Sequence, residues 1–397
     1  MIRPFPTSNT ALTARVFAAL AGAAVVYSTQ AFAQLTPGGI TMQPPNSALA
    51  EEVHHFHNGV LLPIITFICI FVLGLLTWVV VKYNARANPT PRKFSHNTLV
   101  EVLWTGIPIM ILLFIALPSF ELLYKEDIVP DGKQVSIPAD GATTEFAFAN
   151  DFPESRMVRR KRHVQVFLET GGEMRELKRR TDYRLDGLGE QAVIVAFNEA
   201  PSAGETVVIR GGRSVDQRGD VVLAPSMTLK VTGYQWNWSY AYPDFGDFEF
   251  FSNMAAEDQT TPELYRLEVD NRFLVPVGET IRITTTAKDV IHAFALPAFA
   301  IKIDAVPGRI NETWFRADRE GVFYGQCSEI CGIKHAFMPI AVEVVSRDKF
   351  EAWVDSQRAV AGLDPMFQVA GAPAAGAAKL AALAEDTTAA ASAGADQ

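Results

Sequence analysis

The chain has 397 residues, room for two or three domains, with 35 Lys and Arg against 44 Asp and Glu, a formal charge of −9. That balance argues against nucleic acid as a partner. Only three cysteines are present, and two fall in one short loop near the C-terminal end.

Residues 1–33 read as a secretory signal peptide. Arg3 and Arg15 precede an apolar stretch at 16–27, and Ala31-Phe32-Ala33 is a small-residue cleavage pattern. The mature chain is expected to begin at Gln34, with 34–59 a periplasmic N-terminal segment. His54, His55 and His57 read as interfacial polar residues there. Residues 60–81 are 22 residues without a charge, enough to cross a ~30 Å hydrocarbon core at ~1.5 Å per residue. Cys69 within them reads as a small apolar residue. The connector, 82–100, holds Lys82, Arg86, Arg92 and Lys93 and no acid, which marks it as cytoplasmic. A second span follows at 101–124, with Trp104 and Tyr124 near its ends. Pro108 and Pro118 are tolerable in a membrane helix. Neither span contains a histidine, so the chain cannot ligate a haem inside the bilayer.

Residues 130–225 alternate strand-like runs (164–168, 206–210) with Gly- and Pro-rich turns, the pattern of a small, separate β-rich module. Its basic run, Arg156 and Arg159-Arg160-Lys161-Arg162, reads first as a solvated face and second as a contact for a headgroup or partner. From Ser226 to 358 the pattern is all-β. Strand candidates fall at 227–232, 235–242, 265–269, 280–286, 312–316 and 341–345, and suggest a Greek-key sandwich. The tail from 359 is alanine-rich and reads as disordered, with a candidate helix at 374–385.

The chemistry concentrates in Cys327-Ser328-Glu329-Ile330-Cys331-Gly332-Ile333-Lys334-His335-Ala336-Phe337-Met338, a C-x3-C-x3-H-x2-M spacing, with His292 upstream. Thiolate, imidazole and thioether together favour copper. A zinc site leaves Met338 unexplained, and a disulfide leaves the spacing of His335 and Met338 to accident. Two thiolates exceed what one copper needs. The economical arrangement is two copper ions bridged by both sulfurs, each with one histidine.

That loop, Gly233-Tyr234-Gln235-Trp236-Asn237-Trp238-Ser239-Tyr240 and the run 290–311 occur in the order found in subunit II of haem–copper cytochrome c oxidases. The chain resembles that family over about 60–124 and 226–355, in its bacterial, copper-containing form. The resemblance implies a two-helix transmembrane hairpin followed by an all-β cupredoxin domain, interrupted by the β-rich module. It implies a binuclear copper A centre: His292 and His335 each bind one copper, Cys327 and Cys331 bridge both, Met338 is a weak axial ligand, and Glu329 gives its backbone carbonyl. The Glu329 carboxylate would reach a Mg or Mn ion shared with the catalytic subunit I. Trp236 would be the exposed electron-entry residue, and Trp238 core. Glu101, in E-x-x-W-T, would stand at the mouth of a proton path into subunit I. Tyr234 stands where the family often has histidine, and Ala241 where it has an acid.

The partners implied are subunit I with its haems, other oxidase subunits, cytochrome c and the lipid membrane. Acids outnumber bases by 19 to 13 over 226–358, and Asp244, Asp247, Glu249, Asp270 and Asp304 are the candidate docking residues for a basic cytochrome. The implied location is a bacterial inner membrane with the copper domain in the periplasm. A quinol oxidase subunit II would share the architecture but lack the copper ligands, and C-x-x-C-H, the mark of a fused cytochrome, is absent.

Overall fold

The structure is a computed structural model that describes residues 41–90 and 96–367. The expected signal peptide, Arg92 and Lys93 of the connector, and the tail beyond 367 with its candidate helix lie outside the described residues.

Two long helical stretches come first. Helix α1 (Ala48–Phe56) continues through a π-helical turn (His57–Leu61) into α2 (Leu62–Lys82). The helix therefore starts well before the expected span. Ser47 caps it, its Oγ accepting from Ala50 N at 3.0 Å. The segment ahead of the cap is pinned as well, since Asn46 N donates to Ala298 O at 2.7 Å and Ser47 Oγ to Phe299 O at 3.0 Å. Helix α3 (Thr98–Asp127) contains Pro108 and Pro118. No residue of α2 or α3 is buried, and both are long and apolar enough to cross a membrane.

The base of α3 is bolted to the β domain. Trp314 Nε1 donates to Lys125 O at 3.0 Å, and Lys302 N donates to the Glu126 carboxylate at 3.1 Å. Lys125 Nζ reaches Glu52 on α1 at 2.7 Å. These bonds fix where the β domain stands above the helical hairpin.

The module contains β1 (Lys133–Pro138), β2 (Glu145–Ala149), β3 (Val164–Thr170), β4 (Glu173–Glu176), β5 (Tyr183–Asp186), β6 (Ala192–Phe197) and β7 (Thr206–Gly211). They form two sheets, β1-β7-β3-β4 and β2-β6-β5, around Phe146, Phe148, Val166, Leu185, Val195 and Ile209. The module has this core of its own, yet it is tied to its neighbours. Arg316 meets Asp216 at 2.9 Å, and Arg218 meets both Asp318 at 2.6 Å and Glu51 at 3.0 Å.

The second β domain comprises β8 (Met227–Tyr234), β9 (Asn237–Tyr242), β10 (Phe248–Ser252), β11 (Phe273–Pro276), β12 (Thr280–Ala287), β13 (His292–Leu296), β14 (Ile301–Ala305), β15 (Asn311–Arg316), β16 (Gly321–Gln326) and β17 (Pro339–Val345). A five-stranded sheet, β10-β9-β8-β12-β15, faces the three-stranded β11-β17-β16 and the β13-β14 hairpin. Trp238, Tyr240, Phe273, Phe294 and Leu229 fill the space between and are fully buried.

Two expectations are corrected here. Residues 265–269 are not a strand: Arg266 takes a φ of 67°, which breaks the extended run, and only Val269 forms an isolated bridge, to Met254. The tail does not begin at 359 either. Helix α4 (Arg347–Val360) packs Phe350 and Val354 onto the sandwich beside Tyr242 and Phe245. The chain then folds back, and Asp355 accepts from Met366 N at 2.7 Å while Phe367 meets Phe245. An apolar i, i+4 pair on a helix is a reason to dock, which an alanine-rich tail lacks.

Candidate metal centre

The C-x3-C-x3-H-x2-M loop joins β16 to β17. Those strands pair antiparallel with Gln326 opposite Pro339, so both ends of the loop are held at one point. Cys327 N donates to Met338 O at 3.4 Å, and Ser328 N to Ala293 O at 3.0 Å. The second bond ties the loop to β13. His292 is the first residue of β13, which gives its ring the rigidity of a strand.

All six predicted ligand groups converge. Cys327 Sγ lies 3.8 Å from Cys331 Sγ, 3.8 Å from His292 Nδ1 and 3.3 Å from the Glu329 carbonyl oxygen. Cys331 Sγ lies 3.4 Å from His335 Nδ1 and 3.5 Å from Met338 Sδ. Cys327, Cys331, His292 and Met338 are buried. Among the described residues, His292, Cys327 and Cys331 by themselves form a group that could hold a metal ion. The sulfurs are far outside the ~2.05 Å of a disulfide, so that alternative is not realised. The donor set also exceeds the four groups of a structural zinc site, and it adds a thioether and a carbonyl.

The electrostatics of the cluster point the same way. Burial resists ionisation of Cys327, but hydrogen bonds to His292, to the Glu329 and Ala293 backbone and to His335 together outweigh it and draw the thiol below its ordinary range. Burial and the neighbouring Cys327 push Cys331 up. One thiolate is thus stabilised by the protein, and a second beside it needs cationic charge that a bound metal supplies.

Asp289 is a residue the sequence reading passed over. Its Oδ1 lies 3.0 Å from His292 Nε2, and its Oδ2 accepts from Gln235 N at 2.7 Å. Burial works to lower the His292 pKa, but the partners Cys327 and Asp289 raise it. With Nε2 donating to Asp289, Nδ1 is left as the ligand atom facing Cys327. Gly233 allows this packing, since a Cβ there would come within 2.8 Å of the His292 ring. Asp289→Ala should weaken metal retention by about 10–100-fold in chelator competition, with Asp289→Asn much closer to wild type because it keeps an acceptor.

Trp236 is half-buried rather than fully exposed. Its Nε1 donates to Cys331 O at 3.2 Å, and Gln235 Nε2 donates to the same oxygen at 2.8 Å. Lys334 Nζ sits 5.9 Å from the ring centroid. Gly332 lies under the indole at φ 121°, where a Cβ would be 3.0 Å from Trp236 Cζ2. Trp238 is fully buried, edge-on to His292, and donates to Met338 O at 3.3 Å.

The candidate docking acids do not form one patch. Asp304 pairs in register with Ala293, next to His292. Asp270 binds Asn253, which binds Asn237 beside Trp236. Asp244 and Asp247 lie past the far end of β9, about 17 Å along a strand at ~3.4 Å per residue. Glu249 pairs with Ala241 towards that same end and accepts from Ser239 Oγ at 2.6 Å. Alternation along a strand cannot reveal which end of it an acid occupies. Glu101 lies in the first turns of α3, and its Oε1 accepts from Asn97 N at 3.2 Å while Asn97 Oδ1 accepts from Val100 N. This reciprocal cap is a structural role independent of any proton path.

Comparison with known proteins covers both halves of this architecture. Residues 227–345 match the family described as cytochrome c oxidase subunit II, periplasmic domain, and residues 35–122 match its transmembrane domain. A probable cytochrome c oxidase subunit 2 from Rickettsia felis is 38% identical over 339 residues, covering 85% of this chain and 78% of the relative. Cytochrome c oxidase subunit 2 of Cereibacter sphaeroides is 30% identical over 364 residues, 87% of this chain and 89% of the relative. The crystal structure of the periplasmic domain of subunit II of cytochrome oxidase from Bradyrhizobium japonicum is 56% identical, covers 35% of this chain and 98% of its own, and superposes with a TM-score of 0.33. With family matches to both its apolar helical hairpin and its metal-bearing β domain, the chain belongs to the cytochrome c oxidase subunit II family, as a membrane subunit of an oxidoreductase complex.

Proposed function

We propose that this chain is the electron-entry subunit of its oxidase, standing in a bacterial inner membrane with the β domain in the periplasm, between cytochrome c and the haem-bearing catalytic subunit. The observation that carries the reading is the convergence of two thiols, two imidazoles, a thioether and a carbonyl within one strand-anchored loop and β13. Two copper ions bound by Cys327, Cys331, His292, His335, Met338 and the Glu329 carbonyl would supply one-electron redox chemistry. The protein's contribution is rigidity. Strand pairing at both ends of the loop, the Asp289 bond and the Trp238 contact limit ligand movement between redox states.

Trp236 receives the electron and hands it on through its Nε1 bond to the Cys331 carbonyl, adjacent to a ligand sulfur. Asp270 and Asp304 attract a basic cytochrome c to this end of the domain and make the encounter sensitive to salt. Asp244, Asp247 and Glu249, at the other end, add to the long-range field only. The Glu329 carboxylate, half-exposed, would share a Mg or Mn ion with the catalytic subunit. Rapid mixing of the purified oxidase with reduced cytochrome c tests the reading. The first electron should enter through this subunit, with a rate that falls as salt rises. Uptake unaffected by loss of metal from this chain would overturn it.

Glu101 is proposed to take protons from the cytoplasmic side and release them towards a path in the catalytic subunit. Because it also caps α3, the informative variant is Glu101→Gln, whose amide oxygen retains the bond to Asn97 N but carries no proton. The first electron should enter Glu101→Gln oxidase at the normal rate, while steady-state turnover falls several-fold. A pure capping role predicts normal turnover for Gln and a loss of under ~1 kcal/mol of helix stability for Ala.

A further inference from the structure

A cavity of about 650 Å³ lies where four parts of the chain meet: the start of α1, the end of α3, the inserted module and the sandwich. Tyr124 and Lys125 of α3 line it together with Arg156, Arg162, His163 and Arg213 of the module. Five cations line it (with Lys125 and Arg316) against four acids, Glu52, Glu121, Asp131 and Asp216. Lys125 is bonded to Glu52 and Glu121, Arg156 to Asp131, and Arg316 to Asp216. The basic run, which sequence alone reads first as a solvated face and second as a headgroup or partner contact, turns two of its members, Arg156 and Arg162, into a concave site.

His163 supplies the second observation. It lines the cavity, yet it is only 8% exposed. Its Nε2 accepts from Arg162 Nε at 3.3 Å, so the ring proton resides on Nδ1. That buried Nδ1 has no hydrogen-bond partner among the described residues. A buried donor without an acceptor is unfavourable, and an anionic oxygen admitted beside it would satisfy it. Burial and the charges of Arg162, Arg160 and Arg213 hold the ring neutral, so positive charge for an anion comes from the arginines and a hydrogen bond from the imidazole.

The position selects the ligand. Tyr124 ends the apolar length of α3, and Phe120 and Leu123, just before it, are exposed. A ligand here has a cationic cavity for its head and an apolar helix flank for its tail. We propose that this cavity holds the phosphate headgroup of an anionic phospholipid from the membrane that α3 crosses, with Arg162 and His163 binding phosphate oxygens and the acyl chains lying along α3.

The test uses the intact oxidase complex after detergent exchange, with bound lipid counted by native mass spectrometry. Wild type should retain one anionic phospholipid that Arg162→Ala/Arg213→Ala retains at least tenfold less. Arg159→Ala, in the same basic run but outside the cavity, should retain it fully. Delipidated wild-type complex should recover the lipid from phosphatidylglycerol vesicles at least tenfold better than from phosphatidylcholine vesicles. Inorganic phosphate at equal phosphorus should not displace it. Displacement by inorganic phosphate would show a free-anion site instead. Loss of a protein subunit from the double variant with lipid retention unchanged would assign the surface to a partner protein. Either result, or failure of wild type to prefer phosphatidylglycerol, overturns the proposal. The wild-type vesicle arm stands even if the double variant fails to assemble, and the signal of the metal centre, read in parallel, keeps this outcome separate from the copper reading.

Discussion

Cys327→Ser should remove the shared metal centre and slow electron uptake from cytochrome c by more than ~100-fold, beyond the 10–100-fold that changes outside the ligand set produce. The geometry makes this residue central. Its sulfur lies within 4 Å of Cys331 Sγ, His292 Nδ1 and the Glu329 carbonyl, at 3.8, 3.8 and 3.3 Å. A hydroxyl is similar in shape but is a hard, protonated donor that cannot bridge two soft ions. The fold should survive, because the loop is anchored by backbone bonds between β16 and β17 and from Ser328 to Ala293. Metal analysis, circular dichroism and rapid-mixing kinetics on one preparation separate loss of metal from loss of fold.

Trp236→Ala should reduce the electron-uptake rate by on the order of 100-fold, ~2.7 kcal/mol in barrier terms, while the Kd for cytochrome c moves less than about threefold. The indole is half-buried and bonded to the Cys331 carbonyl, so its removal breaks the route into the centre more than it removes contact area. Gln235 keeps its own bond to that carbonyl, which should hold the loop in place and leave the metal signal unchanged. A rate loss matched by an equal loss of affinity would make Trp236 a docking residue instead.

Much of this was legible in the sequence because soft ligands at fixed spacing, uncharged helical spans and alternating strands are local signals. The spacing of Cys327, Cys331, His335 and Met338 needs only a loop between paired strands to become a site. What was not legible depends on pairing across long separations. Asp289 is the local exception: it lies three residues before His292, and no periodic pattern announces the turn that brings its carboxylate to the ring packed over Gly233. The separation of Asp244 from Asp270 is set by which end of β9 each approaches. Helix α4 was hidden by its mixed composition, although Phe350, Trp353 and Val354 fall at helical spacing. The cavity around His163 joins residues from four separate segments, and no local pattern announces it.

The central claim, that this chain holds two copper ions as one electronic unit, is tested most directly by low-temperature electron paramagnetic resonance of the purified oxidase as isolated, with copper counted per chain. The account predicts a single unpaired electron with hyperfine splitting from two equivalent copper nuclei, lost in Cys327→Ser. Splitting from one nucleus only, or zinc in place of copper at this loop, would contradict it.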